Sequence, residues 1–433
     1  MAGPQALGPA GAVVCGGGLG ALVITRDSGP QPADFADVRA TNLAVVLRHL
    51  RSHAPCSRAD IAATTGLNKA TVSSLVTDLI DRRLVREVGM TENRIGRPAM
   101  MLVLDGSPYA AVGLEINTDY LTAVALDLAG ERLLSWRRAF TGTPGQPGQA
   151  IASLAALARR AVAKLERENR QVLGLTVAVP ALVDADGIVE LAAGLGWHQV
   201  DLRKSLTAAL GDPPYPLMVE NDANLAVLAE QRLGDEAGTS DLVYLTGGSS
   251  LRAGIICDGR LLRGARGFAG EFGHLPLDPA GPPCGCGRRG CLEAYAGLDA
   301  VIRQALPDAA LSPSEFGPHV DEIHRLAKAG DAQVLAALTE VGRRLGHGIS
   351  MLANLINPAC VTLGGYFTVL APWLIPPATA ELESRSVAAQ CGGTRIVASA
   401  LDSSAAAAGG ATRVLDAIDA GVLPPPQGAP AAR

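Results

Sequence analysis

His274 is followed by Cys284, Cys286 and Cys291, and glycines stand at positions 285, 287 and 290. Three thiolates and one imidazole complete a tetrahedral zinc set, and the glycines let the backbone turn sharply around an ion. No coordination position remains for water, so the expected zinc is structural. A disulfide between Cys284 and Cys286 is the alternative, but it would close a strained small ring and leave a thiol over. Cys15, Cys56, Cys257, Cys360 and Cys391 are scattered. In a reducing compartment the cluster therefore points to metal before disulfide. A second group, Asn221-Asp222, would by itself suggest no more than a turn.

A third group points to DNA. Leu43, Val46, Leu47 and Leu50 share one face of a helix that begins near Val38. Ser57-Arg58-Ala59-Asp60 has capping-box form and opens a short helix that stops at Gly66. Asn68 can cap a third helix with Val72, Leu75, Val76, Leu79 and Ile80 on its apolar face. Val85–Val88 and Met100–Leu104 then form a hairpin, or wing. Helix, turn, helix and wing define a winged helix-turn-helix whose third helix enters a major groove. Lys69, Thr71, Ser73, Ser74 and Thr77 avoid its apolar face and are candidates for base and phosphate contacts. In the wing, Arg94 and Arg97 flank Gly96 and are candidates for the minor groove or backbone. The alternative is a helical interaction domain with merely solvated charges.

The charge distribution favours DNA. From Val38 to Ala99 there are ten Lys/Arg and five Asp/Glu, within a chain whose net charge is −5. A basic reader is joined to an acidic body. Aromatic residues are only 3%, which argues against stacking platforms for single strands. No stretch resembles a transmembrane span, and the first basic residue is Arg26, so a signal peptide is not expected and the protein is read as cytoplasmic.

At 433 residues several domains are expected. Residues 1–33 read as a disordered leader, 34–106 as the winged helix, 107–240 and 241–421 as two lobes, and 422–433 as a disordered tail. Gly16, Gly18 and Ala21 do not make a dinucleotide fingerprint, because Asp27, Gly29 and Pro30 follow where a helix should run. Strands at Ala111–Ile116, Leu121–Leu126 and Arg132–Ala139 are echoed at Asp241–Thr246, Ala253–Cys257 and Arg260–Leu262. Helices such as Ile151–Glu168 and Ala332–Ile356 follow each set. Two similar α/β halves suggest a bilobal fold with a ligand cleft between the lobes.

Gly270-Glu271-Phe272-Gly273-His274, followed by Cys-x-Cys-Gly-x-x-Gly-Cys-x-Glu from Cys284 to Glu293, resembles the signature of the ROK family, which groups repressors and sugar kinases. The resemblance covers about residues 38–415, and the wording around Leu114–Tyr120 is most similar to its xylose-repressor-like group. It implies an α/β chain: a winged helix-turn-helix followed by a bilobal actin-like, sugar-kinase-like ATPase fold. It further implies that Glu271, His274 and Glu293 hold sugar hydroxyls, with His274 also on zinc. Val219–Asn224 matches a family segment in which Asn221 would bind sugar and Asp222 would be a kinase base. The chemistry is coherent, since carboxylates accept from vicinal hydroxyls and zinc fixes the imidazole. Gly194 stands where an Asn commonly meets sugar in the family, so that amide is missing here.

Phosphoryl transfer needs phosphate-binding turns. Family kinases carry an Asp and then Gly-Gly-Thr, whereas the corresponding stretch here is Glu115-Ile116-Asn117-Thr118-Asp119. Gly248-Ser249-Ser250-Leu251-Arg252-Ala253-Gly254 lacks two glycines of the second loop, and Ser250 and Arg252 are expected to fill space the phosphate needs. Leu363-Gly364-Gly365 keeps the turn that lies near adenosine in family kinases. The resulting expectation is a sugar-responsive repressor of carbohydrate-utilisation genes with an inactive kinase-like domain. It would bind double-stranded operator DNA as a homodimer or dimer of dimers, with xylose or glucose as effector. An ATP-dependent, glucokinase-like sugar kinase with an added DNA-binding domain is the alternative. A zinc-stabilised sugar-binding scaffold without DNA binding leaves residues 38–104 unexplained.

Overall fold

A computed structural model describes residues 35–90, 99–248, 250–309 and 316–421. The expected leader and tail, and Arg94, Gly96 and Arg97 of the wing, lie outside them. The N-terminal domain comprises α1 (Phe35–His53), β1 (Cys56–Ser57), α2 (Arg58–Thr65), α3 (Lys69–Asp81), β2 (Val85–Met90) and β3 (Met100–Leu104). The Asp60 amide donates to Ser57 Oγ at 3.2 Å and the Ser57 amide to Asp60 Oδ2 at 3.0 Å, so the capping box forms. Gly66 ends α2 at φ 74°. The Thr71 amide donates to Asn68 Oδ1 at 2.7 Å and starts α3, which buries Val72, Leu75, Val76 and Leu79. β2 and β3 pair as the antiparallel wing, and the two-residue β1 adds to the other edge of β3.

The body is duplicated. In its first half the strands are β4 (Tyr109–Ile116), β5 (Tyr120–Asp127), β6 (Arg132–Ala139), β7 (Gln171–Val179), β8 (Leu182–Val183), β9 (Ile188–Ala192), β10 (Trp197–Asp201) and β11 (Leu217–Asn221). The second half has β12 (Leu242–Gly247), β13 (Leu251–Cys257), β14 (Arg260–Leu261), β15 (Cys360–Gly365) and β16 (Arg395–Ala398). Sheet orders β11-β7-β4-β5-β6 and β16-β15-β12-β13-β14 are the same topology. In each, the first strand starts an antiparallel meander on one side and pairs parallel on the other. β8, β9 and β10 form a small separate sheet. The internal echo read from the sequence is this repeated sheet.

Helices α4 (Pro147–Arg167) and α5 (Leu202–Leu210) join the core on one side of the first sheet. α6 (Asp222–Leu233) leaves the end of β11. α7 (Glu293–Ala296), α8 (Leu298–Ala305), α9 (Phe316–Lys328), α10 (Ala332–Ile356) and α11 (Phe367–Arg385) belong to the core of the second half. The last helix, α12 (Ala405–Asp419), lies in the stretch assigned to the second lobe but packs on β4, β5 and β7 of the first sheet and along α6. Small residues permit this return. A Cβ at Gly113 would lie 1.8 Å from the Ala407 carbonyl oxygen, and one at Gly409 would lie 1.8 Å from that of Leu225.

α6 and α12 thus form a layer between the sheets, and the same core runs on into the winged helix. Leu47, Leu50 and Leu79 belong to one buried cluster with Leu225, Ala229, Leu415 and Ile418. An ionic junction covers it. Arg51 Nε and Nη2 donate to the Asp419 carboxylate at 2.5 and 3.0 Å, and its Nη1 to the Leu128 carbonyl at 2.6 Å. Arg232, in the last turn of α6, pairs with Asp416 and, at 3.4 Å, with Asp419.

Candidate functional site

The cysteine cluster forms on a loop with little regular structure. Cys291 bridges to Pro276, and Pro283 to Arg289. Gly290 has φ 67°, and a Cβ there would come within 1.5 Å of the Asp278 carbonyl oxygen, so the tight return of this loop requires glycine. The ligand atoms of His274, Cys284, Cys286 and Cys291 all lie within 4.8 Å of one another. Cys286 Sγ and Cys291 Sγ are 3.7 Å apart, and Cys284 Sγ is 3.8 Å from His274 Nδ1. With Zn–S bonds of about 2.3 Å, a tetrahedron has edges of roughly 3.8 Å, so the donor set fits zinc in both chemistry and spacing.

His274 then presents two faces. Nδ1 is turned towards the thiols, and Nε2 lies 3.8 Å from Glu271 Oε2. Glu293, the first residue of α7, accepts from the Leu251 amide at 2.9 Å through Oε2. Its Oε1 lies 3.9 Å from Cys284 Sγ. Burial pushes the Glu271 carboxyl up, while the neighbouring Arg252 pulls it down. The loop therefore positions both carboxylates expected to meet sugar hydroxyls.

Asn221 and Asp222 occupy the junction of β11 and α6. Asn221 caps the helix: its side chain accepts from the Asn224 amide at 3.0 Å and donates to the Ala181 carbonyl at 2.9 Å. Much of its hydrogen-bonding capacity is thus structural. Asp222 is buried and bound in bidentate fashion by Arg252, with Nε to Oδ1 at 2.9 Å and Nη2 to Oδ2 at 2.6 Å.

Arg252 corrects an expectation. Its side chain lies on Asp222 instead of simply filling a phosphate loop. Alternation along β13 explains why: Leu251, Ala253 and Ile255 face the second-half core, so Arg252 and Gly254 face the opposite way. A Cβ at Gly254 would lie 2.0 Å from the Ala223 carbonyl oxygen, so α6 crosses the strand there and Arg252 meets its first residue. Burial works against the guanidinium charge, but Asp222, then Glu271 and Glu293, outweigh it and hold its pKa above the ordinary value. Asp222, Glu271 and Glu293 are thereby gathered about one cation. Sequence reasoning named the three acids and missed this role of Arg252; the period of two along β13 was the available signal. Glu220 was also missed: it accepts from Asn224 Nδ2 at 3.1 Å and from Arg263 Nε at 2.9 Å.

On the side where kinases hold nucleotide, Tyr120 donates to Glu115 Oε1 at 2.8 Å, and burial pushes the Glu115 carboxyl up to about 8. Glu115 Oε2 is buried without a hydrogen-bond partner. The two halves meet here: Tyr366 donates to Asp119 Oδ2 at 2.8 Å, and Arg137 Nη1 to Ser403 Oγ at 2.5 Å. The Arg137 guanidinium lies 3.8 Å above the Tyr120 ring centre. Beside Thr118 opens a cavity of about 200 Å³, also lined by Phe140, Thr143, Gln146, Gly194 and Trp197. Gly194, the position without the family's asparagine, therefore borders open space. At the other end of the molecule, Lys69, Ser73, Ser74 and Thr77 are exposed along α3, and Thr71 is half-buried.

A winged helix on a duplicated, zinc-type sugar-kinase body defines a class, and comparison with known proteins agrees. The ROK family model matches residues 111–417, and a MarR family model matches residues 44–89. The chain belongs to the ROK family. It is 29% identical over 386 residues to the xylose repressor of Bacillus subtilis, covering 89% of this chain and 97% of that protein. A crystal structure of a ROK family transcriptional regulator, a homologue of the E. coli MLC protein, superposes with a TM-score of 0.76 at 25% identity, covering 89% of this chain and 98% of that one. A Streptomyces griseus ROK glucokinase, solved with glucose and AMPPNP, gives 0.59 at 28% identity and covers 70% of this chain and 98% of its own.

Proposed function

We propose that this protein is a sugar-responsive, DNA-binding transcriptional repressor. The observation that carries the reading is the single core that joins an exposed α3 to the site-bearing body, because it gives the DNA reader and the sugar site a common mechanical frame. The relatives named as repressors support it. Lys69, Ser73, Ser74 and Thr77 would face base edges and phosphates, with Thr71 at the cap and Arg94 and Arg97 supplied by the wing. One short helix reads too few base pairs for specificity, so two copies on a palindromic or pseudo-palindromic operator are expected. Xylose is the first candidate effector and glucose the second. Among the described residues no helix is long and apolar enough to cross a membrane. A cytoplasmic location is part of this proposal.

The kinase reading is the weaker one. A general base must release its carboxylate to take a proton, and Asp222 is buried in a bidentate pair with Arg252. Asp119 and Glu115 bring carboxyl groups to the side where phosphate would lie. Phosphoryl transfer is therefore absent in this proposal, and ligand binding alone is retained. His274, Cys284, Cys286 and Cys291 would hold a structural zinc that fixes the loop carrying Glu271 and Glu293.

The decisive experiment selects an operator from random duplex DNA with the full-length protein and titrates it with and without D-xylose or D-glucose. Altered affinity without ATP consumption is the expected outcome. A tenfold change requires about 1.4 kcal/mol of coupling. Unchanged affinity with both sugars defeats the effector reading, and sugar-dependent ATP turnover at kinase rates restores the enzyme. Metal analysis should find one zinc per chain in the wild type and none in Cys286→Ser. A metal-free wild type ends the zinc proposal.

A further inference from the structure

We propose that Arg252 makes this site select pyranoses that lack an exocyclic hydroxymethyl group, so that it takes pentopyranoses in preference to hexopyranoses. The inference rests on the reading of this cleft as a sugar site and names the class of sugar.

Asp222 has little accepting capacity left. Oδ1 accepts from Arg252 Nε and from the Ala223 amide, both at 2.9 Å, and Oδ2 accepts from Arg252 Nη2 at 2.6 Å. Side-chain exposure is 7% for Arg252 and 5% for Asp222, so water does not substitute for any of these bonds without the pair opening. A base for phosphoryl transfer must stand beside the hydroxyl that receives the phosphate. In a hexose phosphorylated at its exocyclic carbon, that hydroxyl belongs to the hydroxymethyl group. Here the guanidinium stands beside the same carboxylate, in the volume that such a group would enter.

A hexopyranose would have to separate a buried ion pair, or leave its hydroxymethyl oxygen without a partner; both are unfavourable. A pentopyranose presents only a ring methylene at that corner. Its ring hydroxyls can still meet Glu271 and Glu293, which are half-buried and not consumed by Arg252 in hydrogen bonds. A carboxylate in place of the hydroxymethyl gains nothing, because the guanidinium is already paired and Glu271 and Glu293 repel a second anion.

D-Xylose, D-glucose and D-glucuronate share one ring configuration and differ at this corner by hydrogen, hydroxymethyl and carboxylate. Calorimetric titration of the full-length protein with each should show D-xylose bound at least about tenfold more tightly than D-glucose. D-Glucuronate should bind more weakly than D-xylose. Arg252→Gly with Asp222→Asn removes the guanidinium without stranding a buried anion, and should bring D-glucose close to parity with D-xylose. Equal binding of D-xylose and D-glucose by the wild type, or tighter binding of D-glucuronate, overturns the proposal whether or not the variant folds. An unchanged xylose-to-glucose ratio in the folded double variant overturns it as well. Binding of none of the three to the wild type instead defeats the sugar reading itself, which separates the two failures.

Discussion

Helix α6 carries a buried arginine–aspartate interaction at each end, and the two ends are built differently. At its start, Asp222 meets Arg252 in a closed pair, with Glu271 and Glu293 as further acids around the same cation. In its last turn, Arg232 shares Asp416 and Asp419 with Arg51 of the winged helix. The first arrangement stays within the body and lies where a ligand would compete for it. The second spans two domains and has no ligand to answer to. Between them runs a 12-residue helix, about 18 Å of rigid rise. A ligand that displaces the first turn of α6 thus has a continuous route to α1, provided it binds two arrangements of the site unequally.

The largest effect should come from breaking the interdomain end. Asp419→Ala leaves Arg51 and Arg232 short of an anion, with the Arg51 and Asp419 side chains only 14% and 10% exposed. Removal of one partner from a buried ion pair typically costs about 3–5 kcal/mol. Urea denaturation should show a loss of that order, and sugar-dependent operator binding should be blunted. A change no larger than that of an ordinary surface substitution would mean that α1 is held by the apolar core alone, and the contrast between the two ends would collapse.

The site end should show itself through pH. Glu115 lies close enough to Asp222 for their charges to interact, and burial pushes its carboxyl from 4.5 up to about 8. Below pH 4.5 both folded and unfolded chains hold this proton. Between 4.5 and 8 the unfolded chain releases it while the folded one keeps it, so stability falls as pH rises through that window. The slope from this group is about 1.4 kcal/mol per pH unit. Glu115→Gln can still accept from Tyr120 and carries no charge to bury. Its urea midpoint should therefore depend less on pH from 5 to 8 than that of the wild type. Parallel pH profiles would show that Glu115 is ionised and satisfied in the folded protein.

The contrast between these ends also marks what the sequence could reveal. The capping box at Ser57 and Asp60, the cap at Asn68 and the repeated strand meander are local patterns, and local patterns are legible. The zinc cluster is nearly so, because its four residues lie on one loop and a preceding turn. Arg252 was assigned to a phosphate loop, since sequence spacing cannot show that α6 crosses β13 at Gly254. The Arg51–Asp419 pair joins residues 368 apart and depends on the return of α12 to the first sheet. No periodicity encodes that return. Small residues at 113 and 409 permit it, but a glycine in a strand can equally mark a bulge, and one in a helix a cap.

The smallest expected effect lies beyond both ends, on the exposed face of α3. Lys69 is the first residue of that helix, and its side chain is exposed. Lys69→Ala should leave the denaturation midpoint within about 0.5 kcal/mol of the wild type, as for other surface positions. If Lys69 neutralises a phosphate, the plot of log affinity against log salt should become shallower by about one for each Lys69–phosphate pair removed, with affinity falling similarly for all duplex sequences. A base contact would instead relax preference at one operator position and leave the slope unchanged. Either outcome keeps α3 in the groove. Binding indistinguishable from wild type in affinity, slope and sequence preference would remove Lys69 from the interface, and would shift the burden of phosphate contact to the wing arginines Arg94 and Arg97.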